Sequence, residues 1–408
     1  MAHFFSPAAF LILLIPFGVA VQNIGLALTA FFFVFLWLSQ SEFRQRFKLI
    51  LNNPWVLFFL ASWVMSAFFV CVSSIAHGNF GRGIQYLVGY SFIGMLPFLI
   101  AAVQRHKGLV TKQILFVSCL TAIVAISQLM FAWKIEENKI VSTIHRAQGF
   151  FSHPLTLAYA ASCFSVFSVS RVIPALANAR IGFYSVLVFI CHLLILLSSY
   201  SLTVMAVYAL ILVGLFMYWM PRRVNVLGIL ASIVVGLVVM LTTNPISHKL
   251  WSILSGRRSD RESPFFDDRI AFWWTHVHMI SKNFFIGLGA GITSADRRPY
   301  YEELGLGYLK RMYEAHNMFL QMASEGGIFA LVFFLLAIFG VWKLMGSLEG
   351  RYSLLGRISL IAFLLTGLTQ NALQDSEVRF AALVGLGLVF LYGNLWLSND
   401  SQKKIRFD

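Results

Sequence analysis

Charge is what this chain has least of. Asp, Glu, Lys and Arg make up 12% of its 408 residues, 59% are hydrophobic, and the mean hydropathy is +0.77. Ordinary soluble domains carry about 25% charged residues, so a soluble protein of this size is excluded and a polytopic membrane protein remains. Cysteine is scarce too. Cys71, Cys119, Cys163 and Cys191 all fall inside apolar runs and form no Cys-x-x-Cys pair, which indicates neither a disulfide framework nor a zinc site. Internal repeats and low-complexity tracts are missing, so a repeat array is not indicated. The amino terminus, Met1-Ala2-His3-Phe4-Phe5, lacks a basic n-region and a convincing cleavage site, and it reads as a retained first span.

What is there is apolar runs joined by short links. A crossing helix needs about 17–25 mainly apolar residues. By that measure there are about twelve spans, at 8–22, 24–39, 55–75, 84–103, 110–132, 154–170, 182–198, 202–219, 224–242, 322–342, 354–371 and 380–396. Val21-Gln22-Asn23-Ile24 separates the first two, and Ser198-Ser199-Tyr200-Ser201 divides the long run 181–219. Basic residues set the orientation. With the amino terminus inside, the cytoplasmic links and tail hold sixteen Lys and Arg, while the short outer links hold five: Arg82, Lys134, Lys139, Arg146 and Arg379. Both termini are then cytoplasmic. The net charge of +14 is mostly topological, and no nucleic-acid partner follows from it. The fold class is therefore an all-α polytopic membrane protein with one large outward loop containing amphipathic helices. Residues 1–242 form about nine spans, 243–321 the loop, and 322–408 about three spans and a tail.

The bilayer core tolerates little polar chemistry, so function is expected in the loop. Asp267-Asp268 can cap a helix of about 268–282. Ile270, Trp273, Trp274, Val277 and Ile280 recur along it at helical spacing, and the tryptophans suit a membrane interface. Arg269 and His276, seven apart, share a face. Gly287-Leu288-Gly289-Ala290-Gly291 ends the helical pattern. The outward side gathers arginines and histidines, among them Arg82, Arg146, Arg269 and His316, without a thiolate or a spaced carboxylate set. That mixture points to an anion site, since the guanidinium fork matches phosphate oxygens two at a time. The blander reading of Arg82 and Arg146 is interfacial snorkelling at span ends. His316 stands with Asn317 at the mouth of a span, Glu325 deeper in; it is either an interface residue or a base, having an ordinary pKa of about 6.5. Glu325 reads equally as a carboxylate buried among helices. A divalent ion on Asp267-Asp268 or on His276 with His278 is disfavoured: adjacent acids at a helix start act as caps, and His-x-His on a helix points its members apart.

Several stretches resemble the O-antigen ligase/polymerase family. They are Arg146-Ala147-Gln148-Gly149-Phe150-Phe151-Ser152-His153-Pro154, Asp268-Arg269-Ile270-Ala271-Phe272-Trp273, Asn283-Phe284-Phe285-Ile286-Gly287-Leu288-Gly289, Ala315-His316-Asn317-Met318-Phe319-Leu320 and Glu325-Gly326-Gly327. Their order and the late position of the loop fit as well. The resemblance implies an enzyme of the bacterial inner membrane, with its active face in the periplasm, that moves a glycan from undecaprenyl diphosphate without metal or other cofactor. The acceptor is lipid A-core for a ligase and a second lipid-linked glycan for a polymerase; some relatives glycosylate protein hydroxyls. Arg269 would match the family's loop arginine and His316 its histidine before the next span, with Arg146 and Arg82 as further diphosphate ligands and Asn317 and Glu325 in support. The chain departs from the family at Ser198-Ser199-Tyr200-Ser201-Leu202-Thr203, where ligases often carry a Ser-Arg turn. Arg146 or Arg82 then supplies the missing charge, or the donor is held differently. A lipid-linked-sugar flippase or transporter is the rival from another class; such proteins tend to carry charge near the midplane and repeated halves. His192 is the best candidate deep in a span here, and the other charges gather at the outer edge.

Overall fold

The computed structural model describes residues 7–14, 19–102, 107–131, 148, 150–151, 155–161, 183–199, 201–219, 267–307, 309, 314–348, 350–371 and 375–392. Among the described residues all regular structure is helical. The helices are α1 (Pro7–Leu14), α2 (Val19–Ser39), α3 (Ser41–Leu51), α4 (Pro54–Ala76), α5 (Phe80–Gly94), α6 (Leu96–Ala102), α7 (Lys107–Phe131), α8 (Phe183–Ser198), α9 (Leu202–Trp219), α10 (Asp267–Lys282), α11 (Ser294–Glu303), α12 (Met318–Gly346), α13 (Arg351–Gly367) and α14 (Ser376–Tyr392), with a helical stretch at 155–161. Among the described residues, four helices are long and apolar enough to cross a membrane: Gln22–Ser39, Pro54–Ala76, Lys112–Phe131 and Met318–Gly346. Val186–Ser198, Thr203–Gly214 and Tyr352–Gly367 are apolar but shorter. The expected span 224–242, most of 154–170, and the loop residues 243–266 lie outside the described residues.

Two expected boundaries moved. Gln22 and Asn23 lie inside α2 and do not separate two spans. The run 84–103 is interrupted at Met95, where α5 ends and α6 begins. Pro97 is the second residue of α6, where its missing N–H costs a helix nothing.

The described residues fall into two compact units. In the first, within residues 1–25, 106–264 and 358–366, α7 lies against α8. The Ser118 hydroxyl meets His192 Nε2 at 3.2 Å, and the Cys119 and Cys191 sulfurs are 3.6 Å apart.

The second unit lies within residues 26–105, 265–357 and 367–408, and its spine is α4 against α12. Asn53 caps α4 by accepting from Trp55 N at 2.9 Å, with Pro54 as the first helical residue. Contacts descend α4 as they ascend α12, so the pair is antiparallel. Val70 faces Gly326, the Ser66 hydroxyl donates to the Ala330 carbonyl at 2.9 Å, and Gly340 lies on the Phe59 backbone. In lipid no hydrophobic force drives two helices together, so close approach at small residues and inter-helix hydrogen bonds take its place, each bond contributing about 0.6 kcal/mol. Phe69 stacks on Phe329 and Phe333 beside that seam. α5 folds back along α4, where the Trp63 indole donates to the Tyr90 carbonyl at 2.9 Å.

α12 is broken once. Gly327 has φ 73° and ψ −174°, which frees carbonyls and an N–H that an unbroken helix would pair internally. The chain after α10 takes them up: Ile328 N donates to Phe284 O, Leu288 N to Ser324 O and Gly289 N to Glu325 O, each at 2.8 Å. Gly287 and Gly327 touch there, since a Cβ on Gly287 would stand 2.5 Å from Gly327 N. The Ser74 hydroxyl of α4 accepts from Ala290 N at 2.8 Å, and the strap is fixed at both ends.

Candidate functional site

The strapped break brings α10, α11 and the head of α12 together. α10 spans Asp267–Lys282, within a residue of expectation, but it is seated differently. Phe272, Thr275, His276 and Met279 are buried, while Ile270, Trp274 and Val277 are exposed. Of the stripe that made the helix legible, these three are thus left uncovered within the unit, while Trp273 and Ile280 are half-buried. His276 and His278 diverge. His278 meets Glu303 at 2.7 Å on the exposed side, and Lys282 pairs with the same carboxylate.

His276 is fully buried, its Nδ1 2.9 Å from the Ser324 hydroxyl. That hydroxyl donates to Gln321 O at 3.0 Å, so Nδ1 is the donor to it. Nε2 is left as a buried lone pair with no hydrogen-bond partner among the described residues. Burial foremost, then the charges of Arg297 and His316, push its pKa down to about 3.

α11 begins with a capping box. Thr293 accepts from Asp296 N while the Asp296 carboxylate takes Thr293 N at 2.8 Å. Arg82 reaches this corner, donating to Gly291 O at 3.2 Å and to Asp296 at 3.5 Å. Burial works to raise the Asp296 pKa, but the Thr293 bonds and then Arg82 outweigh it and hold the carboxyl below its usual range. Arg297 is buried and donates to the Ile292 carbonyl. Burial lowers its pKa, against the opposing pull of Glu314, Tyr301, Glu325 and Asp296.

Asn317 starts α12, its side chain accepting from Phe319 N at 3.0 Å and Leu320 N at 3.1 Å. One turn on, Gln321 Nε2 donates to Glu325 at 2.9 Å, and Glu325 also accepts from Gly291 N at 3.1 Å. The carboxylate is thereby buried between the span and the strap. His316 sits half-buried at the mouth, 6.1 Å from the Phe272 ring. Burial first, then the Arg269 and Arg297 guanidinium groups, lower its pKa, against the contrary effects of Gln370 and Glu314.

Of the residues singled out in the sequence, Arg269, His316, Asn317, Glu325 and Arg82 all belong to this unit, and the Arg269 charge is among the causes that lower the His316 pKa. Arg146 lies outside the described residues. Sequence reasoning counted Arg297 only among the arginines of the outward side, and it passed over Gln321, Gln370 and Asn371. The Thr293-x-x-Asp296 pattern could have signalled the helix that carries Arg297. Gln321 and Glu325, four apart, could have been placed on one face of the span.

The arrangement has two chemical capacities. Arginines beside a half-buried imidazole suit an anion together with a proton acceptor. The low proton affinity of that imidazole keeps it a neutral base near pH 7. A search of curated proteins gives no match to the chain. The family model described as O-antigen ligase matches residues 186–335, the stretch holding Arg269, His316 and Glu325, and it is the family the motifs resemble.

Proposed function

We propose that the protein is a membrane glycosyltransferase that moves a glycan from undecaprenyl diphosphate to an acceptor hydroxyl at the periplasmic face, as an O-antigen ligase whose acceptor is lipid A-core. The observation that carries this reading is the half-buried His316 imidazole, its pKa lowered by burial and by the Arg269 charge, within the segment matched by the O-antigen ligase family. The acceptor oxygen attacks the anomeric carbon, the bond from that carbon to the diphosphate oxygen breaks, and the hydroxyl proton passes to His316. Negative charge grows on the departing lipid diphosphate. Arg269 stabilises it more in the transition state than in the ground state, and loss of one such donor costs about 10²–10³ in rate. Proton transfer to His316 contributes about 10²–10⁴. A neutral imidazole cannot ionise a sugar hydroxyl beforehand, so transfer accompanies attack. Arg82 and Arg146 are further diphosphate ligands, and Asn317 and Glu325 support the histidine.

One observation favours the polymerase as the second reading. The Ser198 and Ser199 hydroxyls turn back onto Ile195 O and Leu196 O, both at 2.8 Å, and no cation occupies the turn at 198–203 where ligases often have one. The lipopolysaccharide of a deletion strain separates the two. Loss of all polymer with free lipid-linked chains is the ligase result; a single repeat on the core is the polymerase result. A flippase would move lipid-linked sugar across liposomes without forming product.

A further inference from the structure

Gln370 and Asn371 lie just past α13, 54 positions beyond His316 and Asn317. They are outside both the matched segment and the motifs. Each touches the turn that carries the histidine. His316 is the only non-glycine residue with positive φ among the described residues, at 46°. Such a conformation is strained for a residue with a Cβ and persists only where the surroundings over-determine it. Here they do so from both sides. Ala315 N donates to Gln321 Oε1 at 3.2 Å, and Asn317 N donates to Asn371 Oδ1 at 3.1 Å. Asn371 Nδ2 ties the same turn to Glu314 at 2.6 Å and to Gln321 Oε1 at 3.4 Å. The ring itself faces Gln370 Oε1 through Nδ1, at 3.3 Å. An amide oxygen only accepts, so Nδ1 carries the ring proton and the accepting nitrogen of the neutral ring is Nε2.

We propose that Gln370 and Asn371 are positioning residues for His316. Asn371 holds the turn in its strained form, and Gln370 fixes the tautomer so that Nε2 receives the proton. This rests on the reading of His316 as the base. When the acceptor oxygen bonds to the anomeric carbon and the diphosphate leaves, the hydroxyl proton moves to Nε2. The resulting imidazolium keeps its Nδ1–H on Gln370. Among the groups that act on the ring, Arg269 and Arg297 oppose that cation and Glu314 favours it, and the titratable neighbour on α10 is His276.

The test uses the full-length protein in detergent, with lipid-linked glycan and lipid A-core extracted from the deletion strain. Gln370→Met removes the acceptor at similar length; Gln370→Glu keeps it and adds charge. The Met variant is expected to melt as the wild type does, with KM unchanged and kcat lowered roughly 10–100-fold, the range seen when partners that orient metal-bound histidines are lost. The Glu variant is expected to recover most of kcat. It should also move the acidic limb of the kcat/KM profile to higher pH, because a carboxylate at Nδ1 favours the imidazolium. The proposal is overturned if Gln370→Met keeps wild-type kcat and pH profile where His316→Ala is inactive. It is equally overturned if Gln370→Glu recovers nothing and leaves the limb unmoved. An active His316→Ala protein would instead remove the reading of His316 as base on which the proposal stands.

Discussion

Gly327→Ala tests how the site is assembled. Its φ of 73° with ψ of −174° falls in a region open essentially to glycine alone, at a cost of about 1–3 kcal/mol for another residue. The added Cβ would also stand 2.2 Å from Phe285 O and 2.4 Å from Phe285 C. These are backbone atoms that cannot rotate aside, and overpacking of this kind costs about 1–3 kcal/mol more. Together the substitution destabilises the strap by about 2–6 kcal/mol. The protein has one escape, to let residue 327 become helical, and that forfeits the bonds from Ile328, Leu288 and Gly289 described above. Thermal unfolding in detergent and amide hydrogen exchange read the two outcomes together. The expected result is a lower melting temperature, lost protection at Leu288 and Gly289, and weakened transfer activity. A variant that melts like the wild type with those amides still protected would refute the strap.

The remaining predictions concern single side chains. His276 is neutral in the fold, with a pKa near 3 against about 6.5 when unfolded. Its contribution to stability is therefore complete above pH 6.5 and declines as pH falls from there toward 3, by about 1.4 kcal/mol per pH unit while only the unfolded chain takes the proton. His276→Asn should flatten that decline in acid-unfolding curves; an unchanged slope would show that the histidine is not the group responsible. Asn317→Ala removes the cap of α12 and should cost about 0.5–2 kcal/mol in the same unfolding assay; no change would mean that the cap bonds are not formed. Arg82→Ala breaks an exposed pair with Asp296 and should cost at most about 1 kcal/mol, appearing chiefly as a raised KM for the lipid-linked donor. A donor KM left unchanged would remove Arg82 from the diphosphate ligands.

Local patterns in the sequence located the parts of the site, and long-range contacts decided how they meet. The helix at Asp267–Lys282 was legible because apolar spacing acts within a few residues, whereas α12, expected from residue 322, begins at Met318 behind an Asn317 cap that hydropathy does not register. The seating of α10 was not, because a stripe of Ile, Trp and Val reads the same whether it faces protein or is left uncovered. The break at Gly327 was hidden inside an apolar run that hydropathy reads as continuous. What fixes it is the chain at 284–289, which lies nearly forty residues earlier. Gln370 and Asn371 left no signal at all. Two amides after a span are ordinary in composition, and only the fold carries them to the histidine. Arg82 read as an interfacial snorkel or a donor ligand; the structure gives it a partner on α11, which no local pattern names.

The central claim is glycosyl transfer driven by Arg269 and His316 over a lipid-borne diphosphate. The most direct measurement mixes purified full-length protein with lipid-diphosphate-linked glycan and acceptor in detergent micelles, where no compartment exists to cross, and follows product by mass spectrometry. Product is expected with the wild type, with rates lowered about 10²–10³-fold for Arg269→Ala and 10²–10⁴-fold for His316→Ala. Folded variants that transfer at the wild-type rate, or a wild type that forms no product while carrying donor across liposomes, would contradict it.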